Sequence, residues 1–182
     1  MKSSRLPLYL WLAALPLFIA SIWFPAQNLP EKMETRFDEA GVATEWMTRN
    51  FHIGSFLAFG LGMSAFIIGL CFAIRYLPAG KLNVPNREFW RKPANHPIGC
   101  DFIFFHAFWL GIVAFLFIAT THFFVVSSAA QEDLAFSTRG IQGSAGVFIV
   151  ATIAWCFFLV RFFQKVPGSA LKSRPKKAAS QA

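Results

Sequence analysis

Three histidines stand in or at the edge of long apolar runs: His52, His106 and His122. An ionisable group in such a run is a functional candidate, because burying it in lipid is costly unless something uses it. His106 and His122 share one run sixteen residues apart. On a helix that is about 24 Å, so they cannot share a ligand. His52 opens an earlier run, and His122 lies towards the far end of its own. Two such helices running antiparallel are expected to bring both rings near one membrane surface. A pair of facing imidazoles could hold a haem iron or form part of a transition-metal site. The sequence offers neither a third ligand nor the carboxylate that usually orients a metal-bound histidine. No cofactor is therefore predicted, and haem or a transition metal at His52 and His122 stands as an alternative reading.

Other chemistry finds little support. The chain contains no GxSxG, P-loop, HExxH or dinucleotide fingerprint. Asp101 precedes a long apolar run, where a carboxylate favours a helix N-terminus. The cysteines Cys71, Cys100 and Cys156 lack metal-binding spacing and read as reduced, buried packing thiols. No catalytic residue is assigned, and the chain reads as non-enzymatic.

The elements carrying these residues must be membrane helices. Hydrophobic residues make up 55% of the 182-residue chain, Phe alone occurs 23 times, and 14% of residues are charged. Soluble domains carry about 25% charge. Four stretches reach the roughly 20 apolar residues a bilayer core requires: Leu6 to Phe24, Phe51 to Leu77, Phe102 to Ser127 and Ala145 to Phe163. The first is longer than the apolar part of a secretory leader and lacks small residues at a cleavage point, so it is expected to remain. Pro7 fits its first turn, whereas Pro16 is expected to kink it.

Lys and Arg orient the spans, because they are retained on the cytoplasmic side. Lys2, Arg5, Arg75, Lys81, Arg87, Arg91, Lys92, Arg161, Lys165, Lys172, Arg174, Lys176 and Lys177 fall on one side, and Lys32, Arg36, Arg49 and Arg139 on the other. That split, 13 against 4 of 17, predicts an all-α, four-span, multi-pass inner-membrane protein with both termini cytoplasmic. Residues 1–165 form one domain, and 166–182 a disordered basic cytoplasmic tail. The net charge of +8 is thereby explained without nucleic acid, whose binding would need basic residues clustered on one face. The partners expected are the lipid bilayer and another membrane protein or a second copy.

Small residues mark the second span. Gly54, Ala58, Gly62, Ala65, Gly69 and Ala73 lie on one helical stripe, which predicts an internal helix contact first and homodimerisation second. The many aromatics of the third and fourth spans, from Phe102 to Phe124 and from Phe148 to Phe163, are expected to meet lipid. The outer loop, Pro25 to Asn50, is expected to carry a short amphipathic helix around Glu31 to Glu39.

Two loop segments resemble a known family. The outer loop reads Leu29-Pro30-Glu31, then Arg36-Phe37-Asp38, then Gly41 and Trp46. It is similar to the "LP…HF(D/N)…G…W" signature of the domain of unknown function 1648 family. The inner loop, Leu82-Asn83-Val84-Pro85-Asn86-Arg87-Glu88-Phe89-Trp90, resembles that family's "(I/L)NLPN-x-(Y/F)W" segment. Arg36 stands where the family has His. Distant relatives include SdpI-type immunity proteins, membrane receptors that protect against a secreted killing peptide. The resemblance implies a bacterial envelope receptor, immunity factor or accessory membrane subunit. Trp46 and Trp90 are its expected partner contacts. Physically, Gly41 suits a positive-φ turn, and Trp46, Phe89 and Trp90 suit interfacial anchoring. A small transporter or channel is the alternative, although no pair of broken helices marks a transport site.

Overall fold

The computed structural model describes residues 4–37, 43–131 and 134–166. Four of its helices are long and apolar enough to cross a membrane: Leu6–Ala26, Arg49–Tyr76, His96–Ala129 and Thr138–Gln164. These bounds extend the expected spans at most of their ends, because the flanking residues still close helical hydrogen bonds. Asp38, Gly41 and the tail 167–182 lie outside the described residues.

Helix α1, Leu6–Ala26, carries Pro7 in its first turn, where the missing N–H would have had no partner. The helix continues through Pro16. Beyond it the chain forms an antiparallel hairpin of β1, Lys32–Phe37, and β2, Ala43–Thr48. This corrects the expectation of a helix at Glu31 to Glu39, and makes the fold mostly helical rather than all-α. The reason is a pattern of period 2: Lys32, Glu34 and Arg36 alternate with Met33, Thr35 and Phe37, which suits a strand exposed on one face. The register slips between Glu34 and Phe37, as at a bulge. A two-stranded hairpin is marginal alone. Here the Arg49 amide donates to the Glu31 carbonyl at 3.0 Å, and Met33 packs against the helix core.

Thr48 then caps helix α2, Arg49–Ala73, its hydroxyl accepting from the Phe51 amide. After two short 3-10 turns and the single-turn α3, Arg87–Trp90, the long α4 runs from His96–Gln131, followed by α5, Leu134–Gln164. The 36 residues of α4 make it about 54 Å long. It is the central helix, packing against α1, α2 and α5. Large apolar side chains cover the bundle's outside, among them Leu17, Phe24, Val147 and Phe158. Water would not tolerate such a surface; lipid does.

Two clusters form the core. At the hairpin end, Phe18, Ile22, Ala26, Leu29, Ile53, Phe115 and Ile118 pack together. At the opposite end, Cys71, Leu82, Trp90, Ile103, Ala107 and Phe163 do so. Aromatic residues of α4 and α5 contribute more to the interior than the lipid-facing expectation allowed. Phe102 stacks on Phe162 with ring centroids 3.4 Å apart, Phe117 on Phe148 at 4.9 Å, and Phe115 on Phe18 at 4.6 Å. Trp109, Phe123, Phe157 and Phe158 do face outward.

The small-residue stripe of α2 is also corrected. Gly54, Ala58, Gly62, Ala65, Gly69 and Ala73 are all exposed, and a Cβ added at Gly54, Gly62 or Gly69 would meet nothing within 4 Å. The close internal approach occurs on another face, at Gly60, where a Cβ would sit 2.2 Å from Phe18 Cζ. Cys71 and Cys100 are buried as expected, but Cys156 is exposed.

Candidate functional site

Helices α2 and α4 run antiparallel, and three polar rungs follow their shared register, each about three helical turns from the next. At one end Arg75 and Asp101 form an ion pair. Asp101 therefore does not cap a helix start: α4 begins earlier, at His96, and the carboxylate meets a guanidinium instead. The same guanidinium lies over the Phe104 and Phe72 rings, 4.8 and 5.4 Å from their centroids. In the middle, Trp11 Nε1 of α1 donates to Ser64 Oγ at 2.8 Å. Gly111 leaves the space for that bond, since a Cβ there would lie 2.7 Å from Ser64 Oγ.

The third rung is His52 with His122. Their ring centroids are 5.2 Å apart, with planes inclined at 36°. His52 is 5% exposed and His122 wholly buried. Phe56 closes one side, its ring 4.7 Å from His52 and 5.0 Å from His122. Neither nitrogen of His122 and not Nε2 of His52 has a hydrogen-bond partner among the described residues. An unsatisfied buried polar atom costs about 1–3 kcal/mol. Three such atoms within one ring pair call for a partner, whether water or a ligand. The two histidines paired from the sequence are thus brought together. His106 stands apart on α4, its ring 3.9 Å from Phe102 and its carbonyl accepting from Trp155 Nε1 at 2.9 Å.

No family model matches the chain, and neither a curated protein nor a solved structure matches it.

The inner-loop motif works inside the protein. Asn86 adopts a left-handed conformation, φ 54° and ψ 40°, tolerated by Asn better than by most residues. Its Nδ2 donates to the carbonyls of Phe163 and Gln164 at 3.1 and 2.9 Å. Trp90 Nε1 donates to the same Phe163 carbonyl at 2.9 Å. The last carbonyls of a helix lack partners within it, so these two side chains close the end of α5. Trp90 is 1% exposed and cannot touch a partner, which overturns its expected role there and at the membrane interface. Phe89, Phe162 and Phe163 surround its ring. Pro85 is half-buried and Asn83 exposed.

The outer-loop motif divides. Leu29 is buried in the core, and its carbonyl accepts from Arg49 at 3.3 Å, next to a 3.1 Å bond from the same guanidinium to the Gln27 carbonyl. Arg49, which the sequence marked only as an outer charge, ties the end of α1 to the start of α2. Pro30 is exposed, and Phe37 ends β1. Trp46, on β2, is 60% exposed, beside Lys32, Met47 and Thr48 in a shallow surface hollow.

Proposed function

We propose that this chain is a multi-pass protein of a bacterial inner membrane, with both termini cytoplasmic and the hairpin outside. It acts without catalysing a reaction, as an envelope receptor, immunity factor or accessory subunit that holds a protein partner on the hairpin. Trp46 is the observation that carries this reading. Of the two motif tryptophans, Trp90 is spent on internal packing, whereas Trp46 leaves 60% of its surface uncovered. Tryptophan in a partner's pocket is a frequent centre of binding energy. The excess of Lys and Arg on the side away from the hairpin supports the orientation. The likeness of both loops to the domain of unknown function 1648 family supports the envelope role.

A photo-crosslinking amino acid placed at Trp46 in the native cell tests this. A discrete protein adduct is expected there, and none from the lipid-facing position of Phe157. W46A should lose the partner yet insert normally. Absence of any adduct, or a partner retained by W46A, refutes the assignment. Reporter tags found on opposite sides of the membrane at the two ends refute the orientation.

A further inference from the structure

We propose that His52 and His122 together bind one four-coordinate transition-metal ion of the zinc(II) or copper(I) class at the hairpin end of α2 and α4. This stands apart from the reading of the hairpin as a docking surface. Its first support is the set of buried ring nitrogens without partners. A neutral imidazole offers one lone pair, the ligand that zinc and copper ions accept readily.

Its second support is spacing. Two imidazole nitrogens bound about 2.0–2.1 Å from a tetrahedral metal place their ring centroids about 5 Å apart. The observed separation is 5.2 Å. Two rings clasping opposite faces of a haem would stand about 6 Å apart with a macrocycle between them. Here that slot is closed by Phe56, which packs on both rings. The geometry therefore rejects haem and retains the simple ion.

Among the described residues no group of three or more His, Cys, Asp or Glu gathers at one point. Among the described residues the donors are thus His52 and His122 alone.

Cobalt(II), whose visible absorption strengthens greatly on tetrahedral coordination, is the probe. Full-length protein in detergent is stripped with a chelator and titrated with Co²⁺, then with Zn²⁺ and, anaerobically, Cu⁺. One equivalent of Co²⁺ should bind with a tetrahedral band that Zn²⁺ or Cu⁺ abolishes. H52N and H122N should each lose the band. Removing a group that merely orients a metal ligand costs about 10–100-fold in affinity, and losing a ligand should exceed this. H96N and H106N should keep the band. A measurement without variants covers a folding failure: in the wild-type chain, Zn²⁺ should shift the imidazole nitrogen resonances of two of the four histidines. No saturable Co²⁺ uptake, a band surviving in both H52N and H122N, or unshifted imidazole resonances would each overturn the site.

Discussion

Asn86 offers a sharp test of how the helix ends are held, because two of its contributions can be removed one at a time. N86G keeps the left-handed backbone, which glycine adopts freely, and deletes both side-chain hydrogen bonds to the end of α5. Each such bond contributes about 0.5–1.5 kcal/mol. The Phe163 carbonyl keeps its bond from Trp90, and the partly exposed Gln164 carbonyl can turn to water. The loss should therefore sit in the lower part of the range, about 1–2 kcal/mol. N86A deletes the same bonds and adds about 1–2 kcal/mol for placing a Cβ in the left-handed region. The order expected is wild type, then N86G, then N86A. Reversible unfolding in mixed detergent micelles measures these steps. Hydrogen exchange of the amides from Arg161 to Lys165 reports whether the last turn of α5 frays. Equal stability of the two variants, or exchange unchanged from wild type in both, would refute the reasoning.

The two faces of α2 should respond unequally to the same substitution. G60A drives a methyl group into Phe18, itself stacked on Phe115, and should cost about 1–3 kcal/mol by overpacking. G62A meets nothing within 4 Å and should be neutral or gain up to about 1 kcal/mol of helix propensity; the same unfolding assay decides, and a reversed order removes the packing described. At the opposite end, D101N should cost at most about 1 kcal/mol, since the ion pair is partly exposed. R75A should cost more, because it also removes contacts with Phe72 and Phe104 worth about 0.5–1 kcal/mol each at exposed sites, and a double-mutant cycle separates the two parts. Metal uptake at His52 and His122 should weaken as pH falls, since a protonated imidazole has no lone pair to give; cobalt affinity unchanged between neutral and acidic buffer would contradict this.

The spans were legible because length and hydropathy alone decide whether a helix fits a bilayer. Which face turns inward was not. A helix apolar all round carries no amphipathic signal, so the outward Gly62 and the inward Gly60 looked alike. The small-residue stripe was real as a pattern, and its direction was invisible. The hairpin could have been found, since Lys32 to Phe37 alternates with period 2, but the charges read equally well as a surface helix. The histidine pair was legible from topology: the start of one helix and the far end of an antiparallel neighbour must lie close. Arg49 and Asn86 left no such trace, because a side chain that satisfies helix-end carbonyls depends on contacts far away in sequence. Trp90 misled for a related reason. A tryptophan in a polar loop looks like an anchor until the ring that will cover it is located.

The bond between Trp90 and the Phe163 carbonyl spans 73 residues, and this orders the chain's assembly in time. At about 5–20 residues per second, the ribosome takes roughly 4–15 s to make that stretch. Throughout that interval Trp90 has been made while the socket for its indole has not yet been synthesised. The first three long helices are therefore made with this latch open, and the final helix closes it. A nascent chain halted before Phe163 would leave the tryptophan uncovered, a distinguishing mark by which a protease or chaperone could tell the unfinished protein from the finished one.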